Sequence, residues 1–202
     1  MADSKFDICN KALVLVGANT ISSFTQNTTE SKVANQLYES TLENLLTRCR
    51  WRFASKQAQL SKNTANPDAR YDSSYALPND AHIIHTVTVG DDVIKYDRYG
   101  QNLFTNTTSS DTVIADYTFQ PSESIFPPYF KQTLVFELAS LFAGAIARND
   151  QLSELYHKRS IAQLAIAKAT DAQAQTTRRL NVDRFRNVRN RTALNDITAT
   201  SP

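Results

Sequence analysis

The sequence predicts an α+β fold: a helical bundle of two N-terminal plus two C-terminal helices, an inserted small antiparallel β-sheet or partial barrel, and a flexible basic C-terminal tail. Two observations predict it. Apolar residues recur at helical spacing near both ends, whereas the middle is β-branched, short in period and rich in turn residues. From Ala172 onward six arginines stand against two aspartates, a net of +4, although the whole 202-residue chain carries only +2. That length suits one substantial domain or two small ones. With 41% hydrophobic and 21% charged residues, most of it has the composition of a folding chain.

The first helix is expected over residues ~4–17, where Phe6, Cys9, Leu13 and Val16 form one stripe and Gly17 is a natural stop. Residues 20–29 read as a polar loop anchored by Ile21 and Phe24. Thr28 or Thr29 can cap the second helix, whose positive end suits Glu30. Val33, Ala34, Leu37, Thr41, Leu42, Leu45, Leu46 and Cys49 carry that helix to about Cys49. Arg48, Arg50 and Arg52 then complement its dipole, and Trp51 and Phe53 close the unit as large apolar anchors.

The period changes after this point. Ser74 to Asp80 reads as a strand halted by a proline turn at Leu77-Pro78, and His82 to Val89 as a second strand. Gly90-Asp91-Asp92 is a hairpin turn from which Val93 to Tyr96 returns. Arg98-Tyr99-Gly100 reads as a further turn before Leu103-Phe104. Residues 106–111 form a polar loop, and Thr112 to Phe119 closes the sheet. Pro127-Pro128 marks the start of the third helix, with Phe130, Leu134, Leu138, Leu141, Phe142, Ala145 and Ile146 on a broad apolar face. Asn149-Asp150 breaks it, and Asp150 is positioned to cap the fourth helix, which carries Leu152, Leu155, Tyr156, Leu164 and Ala165. So short a link forces an antiparallel pair. Residues 1–55 and 121–175 are therefore expected to form the bundle and 56–120 the β insertion. Residues 176–202 form the Arg-rich tail, expected to be mobile in the free protein.

The residues hold no catalytic pattern, no metal set and no cofactor motif. His82 and His85 lie three apart in an expected strand and so face opposite ways, which suits no shared metal. His157 lies among Lys158 and Arg159. Asp80, Asp91, Asp92 and Asp97 fall in or beside turns, where aspartate bonds its own backbone, and lack calcium-loop spacing. Four glycines, none in a Walker pattern, supply no phosphate cradle. Glu30, Glu43 and Glu137 lie on helices with no evident acid–base partner. Cys9 and Cys49 read as buried free thiols. No stretch reaches the ~18–20 apolar residues of a membrane span. The N-terminal residues lack a signal peptide's basic start and apolar core, so synthesis in a cytoplasm is expected.

The arginine tail is the segment with the clearest functional character: Arg178, Arg179, Arg184, Phe185, Arg186, Arg189 and Arg191. Three readings stand open. The tail contacts nucleic acid through phosphates, or it docks on an acidic protein surface and orders there, or it is a solvated terminus.

Several anchors occur in a characteristic order. They are Ile8-x-x-Lys11-Ala12-Leu13 with Leu15-Val16-Gly17, then Ile21-Ser22-Ser23-Phe24, then Arg50-Trp51-Arg52-Phe53 after a long helix. Tyr75-x-Leu77-Pro78-x-Asp80 and Tyr96-Asp97-Arg98 follow, and Phe126-Pro127-x-x-Phe130 leads to Glu137-Leu138-Ala139. Over about residues 4–175 this set resembles the tail tubular protein A family, the head-to-tail adaptors of short-tailed bacteriophages. The resemblance implies a virion component without catalytic activity, located at the head–tail junction. Such adaptors form a dodecameric ring below the portal protein, extend the DNA channel, and carry the tail nozzle and fibres. By position alone, residues 176–202 correspond to the segment that reaches the portal. Genomic DNA would pass the lumen without sequence-specific binding. The alternative is a phage nucleic-acid-binding or packaging accessory protein acting through the basic tail. A cell-wall hydrolase is a third class, and no residue pattern motivates it.

Overall fold

The computed structural model describes residues 4–64, 70–108 and 111–174. It is an α+β fold of four helices and two small antiparallel sheets. The chain divides into two units, Met1–Ala172 and Gln173–Pro202. Of the second, only residues 173 and 174 are described. The arginine tail thus lies outside the described residues.

Helix α1 spans Lys5–Val16. A reciprocal capping box starts it: the Asp7 N–H donates to Ser4 Oγ at 3.3 Å, and the Ser4 N–H donates to Asp7 Oδ2 at 2.9 Å. Gly17 ends it in the left-handed region at φ 74°, where a side chain would strain the backbone. Ile8, Cys9, Ala12, Leu13 and Val16 are buried, and Phe6 packs at the edge of that face. The loop that follows is held by one side chain. Asn10 donates to Ile21 O at 3.0 Å and accepts from Ile21 N at 2.9 Å, which seats Ile21 in the core.

Helix α2 spans Thr29–Thr47, capped by Thr28, whose hydroxyl accepts from the Ser31 N–H at 3.3 Å. It stops two residues short of the expected Cys49, and its buried stripe includes Tyr38, which the aliphatic spacing did not single out. Trp51 then turns back beneath the helix end, and its indole N–H donates to Leu45 O at 2.9 Å.

Eight strands follow: β1 Ser55–Gln59, β2 Ser61–Lys62, β3 Ser73–Ala76, β4 Ile83–Val89, β5 Asp92–Val93, β6 Asp97–Tyr99, β7 Asn102–Thr105 and β8 Val113–Thr118. They make two four-stranded sheets, ordered β1-β8-β4-β5 and β2-β3-β7-β6, where the sequence predicts one sheet or partial barrel. The chain crosses between the sheets at buried Leu60, whose N–H donates to Val113 O at 2.8 Å. β1 and β2 are polar strands without an alternating apolar pattern, so periodicity does not reveal them. Arg98 and Tyr99 belong to strand β6, not to a turn; the turn is made at Gly100, at φ 61°. The return strand after Gly90 pairs only through Asp92–Val93 and leaves the sheet after Ile94.

Helix α3 spans Pro128–Ala145 with proline in its first turn. Phe130, Leu134, Leu138 and Phe142 are buried, but Leu141 is 41% exposed and Ala145 is exposed as well. Helix α4 spans Asp150–Gln173. Its cap is Asn149, one residue before the expected Asp150: the Leu152 N–H donates to Asn149 Oδ1 at 3.0 Å. Of the expected face, Tyr156 is buried and Leu152 and Leu164 pack partly buried against the core, but Leu155 and Ala165 face solvent; Ser160, Ala167 and Asp171 complete the buried stripe. Side-chain bonds fix α3 and α4 as antiparallel neighbours. Ser140 and Ser153 exchange hydroxyl-to-carbonyl bonds of 3.1 and 2.8 Å, and Tyr129 OH reaches Asp171 Oδ1 at 2.8 Å.

Two apolar cores result. The helical one draws on Ile8 to Ala54 and on Phe126 to Ala167. The other, between the strands, holds Leu60, Tyr75, Leu77, Val87, Leu103, Val113 and Ala115.

Candidate interaction surfaces and the joint between the cores

Three of the five anchors expected from sequence, Trp51, Phe53 and Phe130, meet at one place, joined there by Phe126. Trp51 is fully buried and stands edge-on to Phe130 at 5.1 Å between ring centroids. Phe53 contacts Phe130 at 4.8 Å and Phe126 at 6.0 Å, and Phe126 contacts Phe130 at 5.1 Å. These four rings link the segment leaving α2 to the segment entering α3, which are the points where the chain enters and leaves the strands. Leu77 is buried in the second core, and Pro78 begins the turn closed by Ala81 N–H to Pro78 O at 3.0 Å.

Carboxylates tie the same joint. Asp171 is only 4% exposed and accepts from the Arg52 backbone N–H at 2.9 Å and from Tyr129 OH at 2.8 Å. Burial, reinforced by that bond, pushes the Tyr129 hydroxyl well above the usual tyrosine range. Glu137 does have partners: Arg48 Nη2 at 2.6 Å and Ser160 Oγ at 2.5 Å, which join α2, α3 and α4. Asp80 accepts from Lys56 Nζ and Tyr117 OH, each at 3.1 Å. Burial raises the Asp80 carboxyl, but those two bonds outweigh it and hold the group below its usual range. Arg50 pairs with Asp116 of β8 at 3.2 Å. Arg48 and Arg50 therefore bridge elements and do not merely end a helix.

Sequence reasoning missed Asp171. The available signal was its spacing with Tyr156, Ser160 and Ala167, which lie 4, 7 and 4 residues apart on one helical face. Asp171 sits in an alanine-rich stretch that reads equally well as an exposed helix.

The remaining titratable groups stay scattered. His82 precedes β4, and His85 is the extra residue of a bulge between Ile84 and Thr86. His85 Nε2 lies 2.7 Å from Thr118 Oγ1. Burial and then Arg50 depress its pKa below the usual 6.5. Asp97 accepts from Tyr71 OH. Burial pushes the thiol of Cys9 up to about 12 and that of Cys49 to about 11. Among the described residues no group of three or more His, Cys, Asp or Glu side chains is arranged to hold a metal ion, and no helix is long and apolar enough to cross a membrane.

Apolar surface is exposed on the helices. Val14 and Leu15 on α1, and Leu155, Ile161 and Ile166 on α4, are between 36% and 62% exposed. The tail residues Arg178, Arg179, Arg184, Phe185, Arg186, Arg189 and Arg191 lie outside the described residues. Neither a protein-family model nor a curated protein matches the chain.

Proposed function

We propose that the protein is a structural head-to-tail adaptor of a bacteriophage virion. In this reading it forms a ring below the portal protein, extends the DNA channel, and docks the tail nozzle and fibres without catalysis. One observation carries the reading. Motif segments far apart in sequence, Arg50-Trp51-Arg52-Phe53 and Phe126-Pro127-x-x-Phe130, supply the four rings of one joint. Asp80 of the third segment, Tyr75-x-Leu77-Pro78-x-Asp80, bonds the strand residues Lys56 and Tyr117 beside it. Two of the anchor segments of the resemblance thus share one structural task. The exposed apolar residues of α1 and α4 are also suited to contacts between copies.

The arginine tail is assigned to portal docking. Arginine forks pair with carboxylates in two-pronged geometry, and an extended segment that orders on docking covers a large surface. The test is co-assembly with the portal protein of the same genome, comparing the full chain with one ending at Gln175. Light scattering and electron microscopy are the readouts. A stoichiometric full-length complex, lost on truncation, supports both the adaptor role and the tail assignment. Binding that survives truncation moves docking to the folded unit. If neither chain joins the portal, the adaptor role fails. Retention of duplex DNA that falls steeply with salt and vanishes on truncation would then favour the packaging accessory reading.

A further inference from the structure

Helix α4 meets the bundle in part through polar side chains and turns much of its apolar surface to solvent. Ser153, Ser160 and Asp171 hold it to α3 and to the Arg52 backbone by hydrogen bonds. Leu155, Ile161 and Ile166 point outward and are 44%, 53% and 58% exposed. Between Arg159 and Asp171 the helix carries a single charge, Lys168. A helix that is apolar on the side away from its own core is completed by a second surface laid against it.

The order of charges along one flank of the helix selects the occupant. At about 100° per residue, Asp150, Glu154, Ile161, Lys168 and Ala172 fall within about 40° of one another around the axis. Leu155 and Ile166 lie more than about 100° away, on the other flank. Ile161 is midway between Glu154 and Lys168, and also between Asp150 and Ala172. The end before Ile161 holds Asp150, Glu154 and Lys158, a net of −1, and the end after it holds Lys168, a net of +1. Lys158 already pairs with Glu154 at 2.7 Å, whereas Lys168 forms no ion pair among the described residues. A two-fold axis at the level of Ile161 runs a second α4 antiparallel to the first. It sets Ile161 on Ile161 and, at both ends, Glu154 level with Lys168 of the other copy. His157 then falls level with Ala165, a small residue that leaves room for its ring. A parallel partner would instead set like charge against like, and a phosphate backbone would meet the acidic end.

We infer that the free protein pairs with a second copy of itself through this flank of α4, with Ile161 at the centre and Glu154 and Lys168 at the ends. Such a contact closes at two copies, so it is not the contact that builds a ring, and it leaves Leu155 and Ile166 uncovered. It goes beyond the adaptor reading, and the two tests fail separately. The experiment is sedimentation equilibrium of the full chain from about 10 µM to about 1 mM. The expected result is a monomer–dimer equilibrium. Glu154→Lys and Lys168→Glu, both at exposed positions, should each weaken pairing about tenfold, because symmetry turns two attractions into two repulsions. Mixing these two variants should restore pairing, since each then meets the opposite charge at both ends. Ile161→Cys should cross-link to itself on mild oxidation, whereas Leu155→Cys and the native chain, with Cys9 and Cys49, should not. A native chain that stays monomeric at about 1 mM overturns the proposal. Association that grows beyond two copies, or that the charge variants and their mixture leave unchanged, overturns it too.

Discussion

Single residues at the joint carry disproportionate weight because their partners come from distant segments. Asp171 receives two donors, a backbone N–H and a phenol, in a site from which water is nearly excluded. Asp171→Asn keeps one acceptor but turns an amide N–H₂ toward the other donor. We expect a loss of about 1–3 kcal/mol of stability, read by urea unfolding, with Tyr129→Phe costing about 1 kcal/mol. His85 gives a prediction in pH. Its folded pKa lies below 6.5, so the unfolded chain binds the proton more tightly. Its contribution is fully present above pH 6.5 and is lost as pH falls through the folded value. Burial lowers it most, the Arg50 charge adds to this, and Asp116 opposes both. Melting temperature should therefore fall on acidification below pH 6.5, and His85→Gln should flatten this slope. An unchanged slope would remove His85 as its source.

Elements here begin and end by local rules, but what they pack against is decided at their ends. Trp51 lies just beyond α2, yet its ring fills the space between α2 and α3 and its N–H bonds the Leu45 carbonyl. Trp51→Ala should cost about 3–5 kcal/mol. Trp51→Phe should cost less, since it keeps most ring contacts and loses the hydrogen bond. Between α3 and α4, Arg148 adopts φ 50°, a left-handed conformation that is uncommon for a residue with a Cβ. Arg148→Gly relieves this and frees the unfolded chain at the same time, so its effect should lie between zero and about 1 kcal/mol of stabilisation. Asn149→Ala removes the α4 cap and should cost about 1 kcal/mol. Thermal melts of the two variants should differ in sign.

At the scale of the molecule, two apolar cores lie within one compact unit, residues 1–172. The Arg50–Asp116 pair and the Phe119 N–H to Ala54 O bond of 2.9 Å connect them. Cys9 is buried in the helical core, whereas Cys49, expected to be buried, lies partly exposed at its edge; burial raises both thiols above the usual range. A thiol reagent should leave Cys9 unmodified in the native protein at pH 8 and reach it only as the helical core opens. Followed in urea, thiol exposure and the loss of tyrosine near-ultraviolet dichroism should share one midpoint. Two separated midpoints would mean that the strand core unfolds as its own unit.

By itself the sequence determined which segments become helices, where Gly17 and Pro128 bound them, and that Trp51, Phe53 and Phe130 are anchors. It could do so because caps, φ preferences and 3.6-residue periodicity act within a few residues along the chain. It did not disclose β1 and β2, whose polar residues gain their strand character only from pairing with β8 and β3. Nor did it disclose the burial of Asp171 or the partners of Glu137. Those depend on contacts between residues distant in the chain, from 23 positions for Glu137 and Ser160 to 119 for Asp171 and Arg52. Only the tertiary structure decided them, because a carboxylate or a ring is buried or exposed according to what the rest of the chain brings against it.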